Sequence, residues 1–406
     1  MTAMLQKAEV VPANVPADRC FDFDIFNLDG VEDGCAEDLH VAWKKVHDTY
    51  PPVFWTPRYG GHWVLTRYPQ ISRMQSDYES FSNREFLIPR GVVPLQIPEQ
   101  LDPPEHTEYR KLLMPAFLPK ALTSVTEKAR QVAIELIERL QPQGRCEFVR
   151  DFAGTMPIVA FLTMLSLPES DDAYLRGLAV YMSKPNHERS AAAWEEVSAY
   201  VRHWIERRRR EPANDLISSL VHAKVQGRAL TDDEVFSMCL LVLGGGLDTV
   251  VSMTSFVACY LAQHPAHRRE LVEHPERIDV AVEECARRFG TSNLARIMRR
   301  DTELDGQVLR EGDMVVGIFP LAGLDENVNP DPMKLDFTRE QPRHLAFGTG
   351  PHTCPGAVLA RREIRIFLQE WLPRIPDFRL EPGTRPRVTT GVVNSMSELH
   401  LQWDPI

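Results

Sequence analysis

Ten residues near the C-terminus, FGTGPHTCPG from Phe347 to Gly356, constrain the fold of this chain more than any other segment. Gly348, Gly350 and Gly356 surround Cys354, so the backbone can turn tightly and approach a bulky partner without Cβ clashes. An amphipathic helix is expected over 357–372, directly after the loop. Its N-terminus offers unpaired N–H groups and the positive end of the macrodipole, both of which favour a thiolate. The remaining chain must hold this loop and helix start against a second surface.

A thiolate in that setting suits the axial position of a haem iron, where its electron donation favours O–O cleavage. The competing reading is a buried free cysteine beside a glycine turn. It accounts for a lone cysteine but not for an aromatic, glycines, a histidine and a cysteine at fixed offsets. Phe347, Gly350, His352, Cys354 and Gly356 fit the pattern Phe-x-x-Gly-x-His/Arg-x-Cys-x-Gly, and through it the chain resembles the cytochrome P-450 family. The resemblance implies haem b (iron protoporphyrin IX) ligated by Cys354, with Phe347 and Gly348 against the cofactor. It also implies a single-domain prism fold, mainly α with small β-sheets (α+β), around a buried haem.

A second motif, LGGGLDTVV from Leu243 to Val251, lies in an apolar stretch with helical character. Each glycine inside a helix costs roughly 1 kcal/mol relative to alanine. Two reasons would justify three of them: close helix packing, or room for a flat cofactor and a small ligand. An acid and a hydroxyl in a core helix are expensive unless used. Within the resemblance, Gly245, Gly246, Asp248 and Thr249 match the family's oxygen-side element. Thr249 is then expected to hold the activated dioxygen, Asp248 to relay protons to it, and Gly245 to border the cofactor.

Glu284 and Arg287 are spaced i,i+3 on one helix face. As a surface pair they would contribute only ~0.3–0.5 kcal/mol. Their position before Cys354 matches the family's Glu-x-x-Arg pair, and Arg339 resembles its third partner; the implied role is structural. His106 and Arg110, with Arg296 and His352, resemble the partners of the two haem propionates.

The formal net charge of −11 argues against nucleic acid or anionic membrane as a partner. The run Arg207 to Arg210 reads as a solvated helix end. Seven cysteines without a CxxC pair predict neither disulfides nor zinc, and a reducing, cytoplasmic setting. No signal pattern and no apolar run near the ~18–20 residues of a membrane span is read from the sequence, and a monomer is expected. Residues 1–20 read as an irregular arm and 21–406 as one domain. Within it, His62 to Tyr68 reads as a strand. Ser124 with Glu127, and Thr231 with Glu234, read as capping boxes. Gln141 to Gly144 reads as a helix stop, and Asp325 to Gln341 as irregular.

LGGGLDTVVS, CPGAVLARREI, EWLPRIPDF and LQWDP place the resemblance nearest the bacterial camphor hydroxylase group. Those enzymes carry a tyrosine in the loop after the first sheet; here that loop, 84–102, has none, so camphor is not the expected substrate. The substrate side is expected to comprise Leu87, Val92, Val93 and Leu95 of that loop, with Gln96 as its polar contact, and, by alignment to substrate-contacting positions, Leu243, Gly244, Leu247, Leu294, Val392 and Val393. This composition predicts a compact terpenoid or norisoprenoid. Without a flavin or iron–sulfur region, electrons must come from outside. The family points to a 2Fe–2S ferredoxin with its reductase, docking at Lys111, Arg361, Arg362 and Arg365. The leading expectation is a monooxygenase that inserts one atom of dioxygen into a C–H bond. A peroxide-driven or isomerising haem-thiolate enzyme would lack the acid–hydroxyl pair. A haem-binding sensor would carry an appended signalling region, and none is visible.

Overall fold

The computed structural model describes residues 8, 10–91, 95–182 and 188–405, with the backbone alone at 176, 179, 180, 182 and 247. The capping box expected at Thr231 forms. Glu234 N donates to Thr231 Oγ1 (3.2 Å) and Thr231 N donates to Glu234 Oε2 (2.7 Å), opening the helix Asp232–Leu247. Asp248 interrupts it, and the helix Thr249–Gln263 follows. Contrary to expectation, these 32 residues are apolar enough over a sufficient length to span a bilayer. Every residue from Val251 to Ala262 is nevertheless buried in the protein, so this is the central core rod.

The capping box expected at Ser124 does not form. Leu122 N bonds to Leu118 O, so the helix Leu122–Leu140 starts earlier and Ser124 lies inside it. Its predicted apolar face, including Ala129, Ala133 and Ile137, is buried, and Gly144 at φ 68° ends the stretch after a 3-10 turn. That face packs on the helix Ala357–Arg374, which follows the cysteine loop. Trp371 is fully buried there, with the rings of Phe148 and Phe152 each 5.1 Å away. Truncating such an aromatic costs about 3–5 kcal/mol. The aromatic cluster thereby fixes the helix whose first turn meets Cys354.

A five-stranded sheet runs in the order Val53–Thr56, His62–Leu65, Met314–Ile318, Asn293–Met298, Phe81–Ser82, with only the His62–Leu65 and Met314–Ile318 pair parallel. The predicted strand at His62 ends at Leu65, and a helix begins at Tyr68 with Pro69 in its first turn. Leu294 and Arg296 are two apart on one strand and so share a face. The turn before Ser395–Glu398 is stitched to that strand: Asn293 N donates to Val392 O and Asn394 N to Thr291 O, both at 2.7 Å. Val392, Val393, Leu294 and Arg296 therefore come together. In the described part of the segment before residue 21, a 3-10 turn spans Ala17–Arg19 and Val15 is buried in one core with Val53 and Trp63.

The Glu284–Arg287–Arg339 network forms as expected. Arg287 grips both Glu284 oxygens (2.7 and 2.8 Å) and donates to the carbonyls of Gly323 and Pro332 (2.7 Å each). Arg339 Nε reaches Glu284 Oε1 at 3.2 Å. Only glycine fits at 323, because a Cβ there would overlap the Arg287 carbonyl oxygen. The pair ties a core helix to the irregular segment that delivers the cysteine loop.

Candidate active site

A cavity of about 1060 Å³ lies between the helix break at Asp248 and the loop Phe347–Gly356. On the helix side it is bordered by Gly244, Gly245, Gly246, Asp248 and Thr249, and on the loop side by Phe347, Gly348, His352 and Cys354. The glycines have two different reasons. A Cβ at Gly245 or Gly246 would meet nothing within 4 Å, so tight helix packing does not require them. They keep the helix low beside open space. At Gly350, φ is +72° and a Cβ would meet Gln75 O and Ser76 Cα at 2.8 Å. There the loop is pressed onto the helix Tyr68–Ser76, and Thr349 N donates to Gln75 Oε1 at 2.7 Å.

Cys354 N donates to Phe347 O at 2.8 Å, closing the loop. The Cys354 side chain is exposed to the cavity, whereas Cys35, Cys146, Cys239, Cys259 and Cys285 are buried, and all seven cysteines are free. Burial beneath the loop pushes the Cys354 thiol up, against the Gly356 N–H and the cations Arg110 and Arg361. Metal coordination would deprotonate this thiol outright. Among the described residues no three His, Cys, Asp or Glu side chains converge on a metal site. A lone thiol can hold only an iron that arrives with its other ligands, as in a macrocycle.

Beside the thiol is a cluster of cationic and imidazole groups. Arg110 donates to the Thr353 carbonyl, and the buried Arg296 donates to Ala295 O at 2.7 Å. Burial lowers the Arg296 pKa to about 10. The His106 and His352 rings are 4.1 Å apart, and all four of their nitrogens are buried without a hydrogen-bond partner among the described residues. Burial brings His106 down to about 4. Arg110, Arg296 and His352 border the cavity, with His106 behind His352.

Asp248, at φ −111° and ψ −32°, separates the two core helices. Its Oδ2 accepts from Ser395 Oγ at 2.7 Å and its Oδ1 from Ser252 Oγ at 3.4 Å. Thr249 Oγ1 donates to Gly245 O one turn earlier, at 3.1 Å. Glu363 also borders the cavity. It is wholly buried, its Oε1 lacks a partner, and burial pushes its pKa up to about 8.

Of the substrate-side residues, Leu87, Gln96, Gly244, Leu294, Val392 and Val393 reach the cavity. Leu243 does not: it is buried in a second core with Phe161 and Trp204, while Leu240 and Leu241 border the cavity instead. Leu95 points to solvent at 56% exposure. Val92, Val93 and the Leu247 side chain lie outside the described residues. Phe161, Met164 and Trp194 also border the cavity, and no local motif marked them. On the surface, Arg361 grips both oxygens of Glu283 and lies over the Phe347 ring at 4.4 Å. Arg365 pairs with Asp279 at 2.5 Å and Lys111 with Glu108 at 2.7 Å. Arg362 bonds to neutral oxygens, Thr126 Oγ1 (3.1 Å) and Pro119 O (3.2 Å).

The sequence profile described as Cytochrome P450 matches residues 158–393. Probable cytochrome P450 127A1 of Sinorhizobium fredii is 36% identical over 404 residues, which span 98% of each chain. This chain belongs to the cytochrome P450 family. Mycinamicin IV hydroxylase/epoxidase of Micromonospora griseorubida is 30% identical over 90% of this P450 and 96% of that protein. The crystal structure of CYP101J2 superposes with a TM-score of 0.89 at 39% identity, covering 97% of this chain and 99% of the other. CYP101C1 gives 0.89 at 36%, covering 97% and 100%.

As a P450 this is a haem-dependent monooxygenase that binds haem b, and the residues present fit that group. A thiol faces the cavity, glycines leave the opposite wall clear, and imidazole nitrogens without hydrogen bonds lie beside Arg110 and the buried Arg296. Cys354 would hold the iron, and His106, Arg110, Arg296 and His352 the propionates.

Proposed function

We propose that this P450 hydroxylates a compact hydrophobic substrate of the terpenoid or norisoprenoid class. Dioxygen and two electrons, from a 2Fe–2S ferredoxin with its reductase, complete the reaction. Bound haem supplies the electron-rich iron centre at which dioxygen is activated. The chain's own residues provide placement and protons. Asp248, held by Ser395 and Ser252, is suited to take protons from solvent, and Thr249 presents its hydroxyl to the cavity one residue on. Leu87, Leu241, Leu294, Val392 and Val393 exclude water and select an apolar molecule, and Gln96 offers it one polar contact. The observation that carries this reading is the acid–hydroxyl pair at the helix break, across the cavity from an accessible thiol.

Two readouts test it. With ferredoxin, reductase and NADH, Thr249→Ala should keep consuming oxygen but yield hydrogen peroxide in place of product, and Asp248→Asn should turn over slowly. Unchanged coupling in the Thr249 variant would contradict the assignment. For the donor, Arg362 retains a charge without an acidic partner among the described contacts. Arg362→Glu should slow stopped-flow reduction and flatten its salt dependence. An unaltered rate and slope would move the docking site elsewhere. A reducing, cytoplasmic setting accords with seven free cysteines.

A further inference from the structure

The cluster beside Cys354 contains a group that a receptor for two carboxylates does not need: a carboxylate of its own. Glu99 Oε2 stands 3.8 Å from His352 Nδ1. Asn83 Nδ2 donates to Glu99 Oε1 and to its carbonyl oxygen, both at 2.9 Å, so the side chain is aimed. Glu99 borders the same cavity as Arg110, Arg296 and His352. Burial alone would raise its pKa, but His352, Arg296 and His106 outweigh burial and hold the carboxyl below its ordinary value. The neighbouring acid, Asp102, is taken up by Ser82 Oγ (2.5 Å) and Asn83 N (2.9 Å).

Charge counting then matters. The fixed positive charges are the two arginines, Arg110 and Arg296. Two propionates would match the two arginines, and Glu99 adds a third carboxylate to the same cluster, beside His352. We propose that Glu99 is a resident counter-ion of the propionate cradle. It neutralises the cluster before haem enters and competes with a propionate afterwards, so this chain holds haem less tightly than the same cradle without the acid. The inference rests on His106, Arg110, Arg296 and His352 being the propionate partners.

The test is haem transfer from the holoprotein to excess apomyoglobin, followed in the Soret region. Glu99→Gln should slow release by roughly tenfold, the scale of one partly screened charge at this range. It should raise the ferric/ferrous midpoint potential, since a negative charge near the iron is lost. The apoprotein of the same variant should melt earlier, because the cations lose their counter-ion, while the holoprotein melts later. A merely structural role would shift both melts in one direction. Glu99→Asp, with a shorter reach, should release haem at an intermediate rate. Unchanged or faster release from Glu99→Gln overturns the proposal. Arg110→Gln serves as the separate check on the cradle: faster release supports it, and unchanged release overturns the cradle reading itself.

Discussion

A methyl group added at Gly350 would press on Gln75 O and Ser76 Cα at 2.8 Å, whereas one added at Gly245 or Gly246 would meet nothing within 4 Å. The two walls of the cavity use the same residue for opposite ends. The loop wall is defined by contact: Gly350 on the helix below, Thr349 on Gln75, and the segment before it clamped by the buried Arg287–Glu284 pair. The helix wall is defined by space that side chains have vacated, with a break at Asp248 tied to Ser395. A rigid wall suits a metal ligand that must not move. An open wall beside a tethered acid suits small molecules that come and go.

Substitutions separate the two. The largest effect is expected on the clamp. Glu284→Ala leaves Arg287 charged, fully buried and short of its carboxylate, a loss of about 3–5 kcal/mol in denaturant unfolding. Wild-type stability in that variant would show that the clamp does not hold the loop. Next comes the glycine contrast. Gly350→Ala, at φ +72°, should cost about 1–3 kcal/mol. Gly245→Ala should instead gain up to about 1 kcal/mol of helix stability while weakening ligand-induced spin-state shifts. Equal signs in the two melts would erase the distinction between the walls.

The loop wall was legible because its motif is contiguous. Phe347 to Gly356, Glu284 with Arg287, and the Thr231 capping box sit at fixed spacings, and short-range geometry determines what such spacings do. The open wall was harder. Leu243 was expected at the substrate, but Leu241 is there. Leu240, Leu241 and Val242 all border the cavity, while Leu243 turns into the second core, and the local sequence does not tell these neighbours apart. Ser124 failed as a cap because the bond from Leu122 N to Leu118 O starts the helix earlier, leaving Ser124 inside it. Glu99 and Glu363 went unremarked because a sequence records that a carboxyl exists, not how deep it lies.

Glu363 probes the floor between the walls. Its folded pKa is raised to about 8 from an ordinary value of 4.5, so between those values the folded state binds the extra proton. Stability from this group therefore falls as pH rises from about 4.5 to 8 and is constant beyond. Glu363→Gln should remove that slope, its advantage over the unsubstituted protein growing with pH across the window in thermal melts. Parallel curves would mean that Glu363 is not protonated in the fold.

The central claim is that Cys354 is the iron ligand of a haem held between these walls. The most direct measurement is the Soret band of the reduced, CO-bound protein, compared with that of Cys354→His. The unsubstituted protein should show the red-shifted band of a thiolate-ligated iron, and the variant should lose both that band and hydroxylation, since imidazole is the weaker donor. A red-shifted band that persists in Cys354→His would contradict the account.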